Sequence, residues 1–292
     1  MSKVWLITGS ARGLGRHVAE AVLAAGGRLV ATARDPGRLA DLVAQYGDRV
    51  RVAALDVTDE AAAKRAVQTA IEAFGRLDVL VNNAGFGHVA PFEQESAEDF
   101  RAQMDTNFYG VVNLTRAALP VMRRQRAGHI LNVSSVGGRL GTPGVSAYQS
   151  AKWAVGGFTE VVSREAAPFG VRVTALEPGG MRTDWGQIAR GNAPALLPDY
   201  EPSVGAVMEM LSAHIIGNEA GDPARVAQVI LRLAEHDNPP AHLLLGSDAL
   251  HYFGQAEAVR NNDAAAWHAV TLSTDFAADG PIPAFPLPEA TQ

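Results

Sequence analysis

The sequence predicts an α/β protein built on a doubly wound, seven-stranded, mostly parallel sheet with helices on both faces. Three observations predict it. Short runs rich in Val, Leu and Ile alternate with segments of helical periodicity along the chain. The short runs are apolar throughout instead of alternating with polar residues, which suits strands buried on both faces. Capping residues precede the helical segments and glycines follow them.

In order, the runs Val4–Thr8, Arg28–Ala33, Val50–Leu55, Val79–Val81, His129–Val133, Val171–Leu176 and Leu243–Leu245 read as strands. The segments Gly13–Ala25, Pro36–Tyr46, Glu60–Phe74, Ala97–Arg126, Ser146–Ala167 and Pro223–His236 read as helices. Asp59, Ser96, Ser146 and Asp222 stand where N-caps are wanted, and Gly26, Gly75, Gly128 and Gly170 follow helix ends. Repeated strand–helix–strand order implies parallel pairing with helices crossing on either face. No linker divides residues 1–276, which read as one domain. Residues 184–222 interrupt the rhythm as a Gly- and Pro-containing insertion with an apolar patch at Val204–Ile216. Residues 277–292, with four prolines, read as an irregular tail.

Composition narrows the function classes. The formal net charge is −6 and no Lys/Arg run exceeds two residues, so neither a nucleic-acid groove nor a polybasic membrane patch is expected. Cysteine is absent, which removes thiolate catalysis, disulfides and Cys-based metal sites. The histidines show no metal-ligand spacing, so no metal is expected. Residues 1–9 lack a signal pattern and no apolar run reaches spanning length, so a cytoplasmic location is expected.

Several motifs carry chemistry. Thr8-Gly9-Ser10-Ala11-Arg12-Gly13-Leu14-Gly15 follows a strand and opens a helix. Glycines there permit a tight turn, and the helix N-terminus offers free N–H groups and a positive dipole end to a pyrophosphate. Asn82-Asn83-Ala84-Gly85 follows the fourth strand and Asn132-Val133-Ser134-Ser135 ends the fifth. A serine hydroxyl there is placed to bond a substrate oxygen. Tyr148 and Lys152 stand four apart, on one helix face. A free tyrosine is phenolate in roughly one molecule per thousand at pH 7, and a nearby ammonium is the available means of raising that fraction. The turns after strands one, four, five and six all fall on the carboxyl edge of the sheet, where open α/β sheets bind ligands.

With these motifs in order, residues 3–183 resemble the classical short-chain dehydrogenase/reductase family, more weakly through Leu243–Asp248. The resemblance implies a Rossmann-type fold and a set of roles. Tyr148 would exchange a proton with the substrate oxygen, Lys152 would hold the nicotinamide ribose and depress the tyrosine pKa, Ser135 would polarise the carbonyl, and Asn107 would position a water. Gly9, Ser10, Arg12, Gly13, Leu14 and Gly15 would cradle the cofactor. Asp56 and Val57 would flank its adenine, and Asn83, Ala84, Gly85, Pro178, Gly179, Met181 and Thr183, together with Tyr148 and Lys152, would complete its site. NAD-preferring relatives carry an Asp where this chain has Ala33; with Arg34 next to it, NADP(H) is expected to be preferred, with NAD(H) possible.

His88, Gly137, Arg139, Gly180 and Trp185, with Val89 and Met181 nearby, are expected to line the substrate pocket, under a lid formed by 184–222. The resulting expectation is an NADP(H)-dependent carbonyl reductase or alcohol dehydrogenase acting on a small, apolar substrate as a homodimer or homotetramer. The alternatives are an epimerase or dehydratase on the same site, or a non-catalytic NADP-binding regulator.

Overall fold

The computed structural model describes residues 2–191, 194–215, 217–276 and 280–286. Its strands are β1 (Val4–Ile7), β2 (Arg28–Ala33), β3 (Val50–Ala54), β4 (Val79–Asn82), β5 (Gly128–Val133), β6 (Val171–Pro178) and β7 (His242–Leu245). They form one parallel sheet in the order β3-β2-β1-β4-β5-β6-β7. The order reverses between β1 and β4, which opens a crevice at their carboxyl ends.

The helices are α1 (Gly13–Ala24), α2 (Ala40–Tyr46), α3 (Glu60–Phe74), α4 (Ala97–Met104), α5 (Gly110–Gln125), α6 (Ser146–Ala166), α7 (Trp185–Arg190), α8 (Ala206–Met210), α9 (Pro223–Glu235), α10 (Ser247–Ala266) and α11 (His268–Leu272). Alternate residues of each strand feed opposite faces, as the two-residue repeat demands. Trp5 and Ile7 pack with Val18, Val22, Ile230 and Leu233 of α1 and α9. Val4 and Leu6 pack with Ala63, Val67, Leu114 and Ala118 of α3 and α5. The second cluster continues into α6 through Val162 and Ala166. Each fully buried Leu or Val contributes about 1.5–3 kcal/mol, so the two layers hold the crevice floor rigid.

Local chemistry sets the boundaries. Asp59 accepts from the N–H groups of Ala61 (2.7 Å) and Ala62 (3.1 Å) at the start of α3, and Gly75 ends it at φ +79°. Asp222 caps α9, with Pro223 in its first turn, where no N–H is needed. Ser96 caps α4. Ser146 does not cap α6: it is the first helical residue, and its hydroxyl donates to Glu95 instead. The left-handed residue after α5 is Arg126 (φ +57°), whereas Gly128 opens β5, where a Cβ would meet the Met122 side chain at 2.5 Å.

Other expectations change form. The helix expected over Ala97–Arg126 is two helices joined by a π-helical turn, Asp105–Tyr109. The segment expected as one helix over Pro36–Tyr46 begins with a 3-10 turn, Pro36–Leu39. α10 and α11 follow β7 where no helix is expected. Of the expected tail, 280–286 are described, and Phe285 packs on Trp267 with ring centroids 5.2 Å apart; the rest lies outside the described residues. The apolar patch Val204–Ile216 becomes short helical turns, of which Val204 is buried; Ile216 lies outside the described residues. No helix among the described residues is long and apolar enough to cross a membrane.

Candidate active site

The site assembles at the carboxyl edge. Thr8, one residue beyond β1, accepts at Oγ1 from the N–H groups of Asn83 and Ala84, both at 2.9 Å. Asn83 returns the contact, donating to the carbonyls of Thr8 (2.9 Å) and Gly9 (3.3 Å). The glycine turn and the turn after β4 are thus one unit across the crevice. Gly9 (φ +68°) and Gly13 (φ +54°) occupy the left-handed region. A Cβ on Gly15 would lie 2.4 Å from both Asn83 Nδ2 and the Gly9 carbonyl oxygen, so only glycine lets α1 approach so closely.

The α1 N-terminus fits an anionic phosphate. Arg12 holds the N-cap position without a side-chain cap bond, and no acid stands in the first turn. A Cβ on Gly13 would meet only the Thr183 side chain, at 3.8 and 3.9 Å. The N–H groups of Gly13, Leu14 and Gly15 have no acceptor among the described residues, and the positive dipole end of a twelve-residue helix stands behind them. Ser10 is buried, its hydroxyl donating to the Ile7 carbonyl, and Leu14 is buried in the core, so both shape the turn from beneath. Ala33 ends β2 without a carboxylate. Arg34 is exposed and forms no ion pair among the described residues, and Asp35 accepts from Gly37 N–H at 3.0 Å, which keeps its carboxylate in its own turn. Asp56 likewise binds Thr58 through Oδ1, and Val57 packs against Gly110.

Tyr148 and Lys152 project from the first turns of α6. The Lys152 ammonium lies 5.5 Å from the Tyr148 ring centroid and donates to the Val133 carbonyl at 2.8 Å. Lys152 is buried, and burial lowers its pKa to about 8. Burial pushes Tyr148 up to about 12, and the nearby Ser135 hydroxyl opposes the rise. At neutral pH the phenol is therefore protonated and the amine mostly charged, a proton donor beside a cation. Ser135 Oγ also accepts from Gly137 N–H at 3.0 Å, which fixes the hydroxyl at the end of β5.

Asn107 is fully buried in the π-helical turn. Its Nδ2 donates to the carbonyls of Phe86 (2.7 Å) and Gln103 (2.9 Å), and its Oδ1 accepts from Phe86 N–H (3.2 Å). The side chain is thus committed to holding the segment after Gly85. A Cβ on Gly85 would come within 2.5 Å of Asn107 Oδ1 and 3.7 Å of Lys152 Nζ, so these three positions do meet.

The expected pocket residues divide. Trp185 lies over Tyr148, ring centroids 5.0 Å apart, and over Gly87, where a Cβ would be 2.7 Å from the indole. His88 is half-buried beside the Glu95 carboxyl, and its N–H donates to buried Gln103 at 3.1 Å. Burial raises the Glu95 pKa while His88 opposes the rise. Gly137 borders Ser135 and Gln149. Arg139 turns its guanidinium to buried Glu177, at 3.3 Å, and stacks it 4.8 Å from the Phe253 centroid. Gly180 donates to Asp248 Oδ2 at 2.7 Å, and a Cβ on Gly179 would lie 2.3 Å from that carboxylate, so Pro178–Gly180 is braced from the start of α10. Met181 turns toward the α1/α9 core. Gly87, Gln103, Asp184 and Asp248 adjoin the site without having been singled out by sequence. Of these, Gln103 alone carried a signal, standing one helical turn before Asn107. Among the described residues no cluster of metal-ligating side chains occurs.

A parallel sheet with a glycine turn opening onto a crevice, and a Ser–Tyr–Lys group on the opposite wall, defines an α/β enzyme of the dehydrogenase type. A family profile described as short chain dehydrogenase matches residues 3–192, and the chain belongs to that family of oxidoreductases. It is 46% identical over 275 residues to "Oxidoreductase BOA17" of Botryotinia fuckeliana, covering 94% of this chain and 100% of that one. A solved short-chain dehydrogenase from Streptomyces avermitilis superposes with a TM-score of 0.86 at 37% identity, covering 94% of this chain and 100% of that one. An alcohol dehydrogenase from Thermococcus sibiricus, complexed with 5-hydroxy-NADP, gives a TM-score of 0.69 at 27% identity, covering 85% and 97%.

Proposed function

We propose that this oxidoreductase interconverts a ketone or aldehyde and the corresponding alcohol with NADP(H), Tyr148 serving as the acid/base. The observation that carries the reading is the Ser135–Tyr148–Lys152 group, with a protonated phenol near Ser135 and an ammonium 5.5 Å from its ring. The open N-terminus of α1 supports the site for the cofactor's pyrophosphate, which when bound supplies or accepts the hydride at its nicotinamide. Tyr148 hands its proton to the nascent alkoxide in reduction and takes one in oxidation. Ser135 donates to the same oxygen and disperses its developing charge. Lys152 stabilises the phenolate that remains. The missing carboxylate at Ala33, and Arg34 with no ion pair among the described residues, support a 2′-phosphate and hence NADP(H) over NAD(H). The ligand in the structure of the Thermococcus sibiricus relative agrees with that preference.

Trp185, lying over Tyr148 and Gly87, gives the mouth an apolar face, which favours an apolar substituent on the carbonyl. Trp153 and Val161, exposed on α6, are residues a homodimer or homotetramer contact would cover. Tyr148→Phe tests the reading: turnover in a screen of ketones, aldehydes and secondary alcohols falls by at least 10²–10⁴-fold, the contribution typical of a positioned acid/base, while NADPH affinity is kept. Retained turnover refutes the assignment.

A further inference from the structure

Two arginines, Arg34 and Arg12, stand at the sheet edge where a 2′-phosphate would lie, and they are not equally free. Arg34 stands just past β2 and Arg12 in the turn past β1, and these strands are neighbours, with Ser10 N–H bonded to the Thr32 carbonyl at 2.9 Å. Arg34 has no ionic partner among the described residues. Arg12 has one. Its Nη1 lies 3.1 Å from Asp184 Oδ2, and both side chains are about half exposed. Asp184 follows β6, on the other half of the sheet, so this ion pair bridges the crevice between the β1 and β4 sides. Thr183 lies against Gly13 beneath it. The next residue, Trp185, covers the Tyr148 ring.

We propose that Asp184 is a specificity-determining residue: it competes with the cofactor's 2′-phosphate for Arg12, and loss of the Arg12–Asp184 pair releases the segment that holds Trp185 over Tyr148. This inference rests on the NADP(H) reading above. The contact uses one guanidinium nitrogen, Nη1, and bidentate capture of a phosphate on the β2 side needs the whole fork turned away from the carboxylate across the crevice. Phosphate binding therefore includes breaking the ion pair, and NADP(H) pays a penalty that NAD(H) does not. By linkage, a closed segment weakens phosphate binding by the factor with which the phosphate opens it. The pair is half exposed, so its removal is expected to strengthen phosphate binding by roughly two- to fivefold, the range of surface ion pairs. The gain shrinks as salt is raised.

The test titrates adenosine 2′,5′-bisphosphate and adenosine 5′-monophosphate into the intact protein by calorimetry. Asp184→Asn and Asp184→Ala are expected to bind the bisphosphate two- to fivefold more tightly with unchanged affinity for the monophosphate, whereas Arg12→Ala binds the bisphosphate more weakly. Trp185 emission, taken as the difference from Trp185→Phe, is expected to respond to the bisphosphate in the parent and to be already shifted in Asp184→Asn. Unchanged or weaker bisphosphate binding in both Asp184 variants, with Arg12→Ala still defective, overturns the competition and leaves the NADP(H) reading standing. No preference of the parent for the bisphosphate, with Arg12→Ala and Arg34→Ala both silent, overturns the NADP(H) reading itself. Tighter binding with unaltered Trp185 emission overturns the link to Tyr148.

Discussion

Replacing Lys152 by Met keeps the length of the side chain and removes its charge. The ammonium is 5.5 Å from the Tyr148 ring centroid. At an effective dielectric of about 20, two unit charges at that separation interact by about 3 kcal/mol. One pKa unit is about 1.4 kcal/mol, so the ammonium is worth about two units to a phenolate centred on the ring. Burial drives Tyr148 the other way, up to about 12 against the opposing effect of Ser135. In alcohol oxidation the phenolate is the working base, so the rate rises with pH to a plateau above the tyrosine pKa. Removing the ammonium moves that limb to higher pH by about two units and lowers kcat about 100-fold on the acid side. The assay is kcat against pH at saturating cofactor and alcohol, which reads the loaded enzyme and discounts any loss of cofactor affinity. Because Lys152 itself deprotonates near 8, the parent loses this help above that pH, and parent and variant converge at the alkaline end. A variant whose limb stays in place would show that the ammonium does not set the ionisation of Tyr148.

Two further outcomes concern stability. Gly15→Ala places a methyl 2.4 Å from the Gly9 carbonyl oxygen and Asn83, and is expected to cost about 1–3 kcal/mol in urea unfolding; an unchanged midpoint would show that the glycine turn is looser than described. Glu177→Ala removes a 1%-exposed carboxylate from between Arg139 and His242, and is expected to cost about 3 kcal/mol by the same measurement, with Glu177→Gln recovering part through its hydrogen bonds.

What the sequence made legible follows from range. Ser135, Tyr148, Lys152 and the glycine turn sit in local patterns tied to a strand end or a helix face, so spacing alone places them on one edge. Arg139 lies four residues past Ser135 and reads as a pocket neighbour. A 3-10 turn at Val136–Gly138 redirects the chain, and Glu177, from another strand, takes the guanidinium. Asn107 lies in the site, but its side chain is spent on the backbone. The π-helical turn that puts it there shifts the helical repeat without erasing it, so periodicity reads straight through. α10 has no apolar stripe: only Ala249 is buried, while Leu250, Tyr252 and Val259 are exposed. A helix without a buried face carries no periodic signal.

A polar seam crosses the middle of the molecule just below the reacting groups. Asn82 Nδ2 donates to Asn132 Oδ1 (2.8 Å) and Thr115 Oγ1 (3.3 Å), and Asn132 Nδ2 donates to Thr159 Oγ1 (2.8 Å), all four residues buried. Changing any one of them to an apolar residue strands a neighbour's donor or acceptor at a cost of about 1–3 kcal/mol. Replacing bonded partners together by apolar groups of matching shape can be nearly neutral. These four positions therefore drift as a set: mutational paths through single exchanges are steep, and descendants of this chain keep the whole seam or exchange its members jointly.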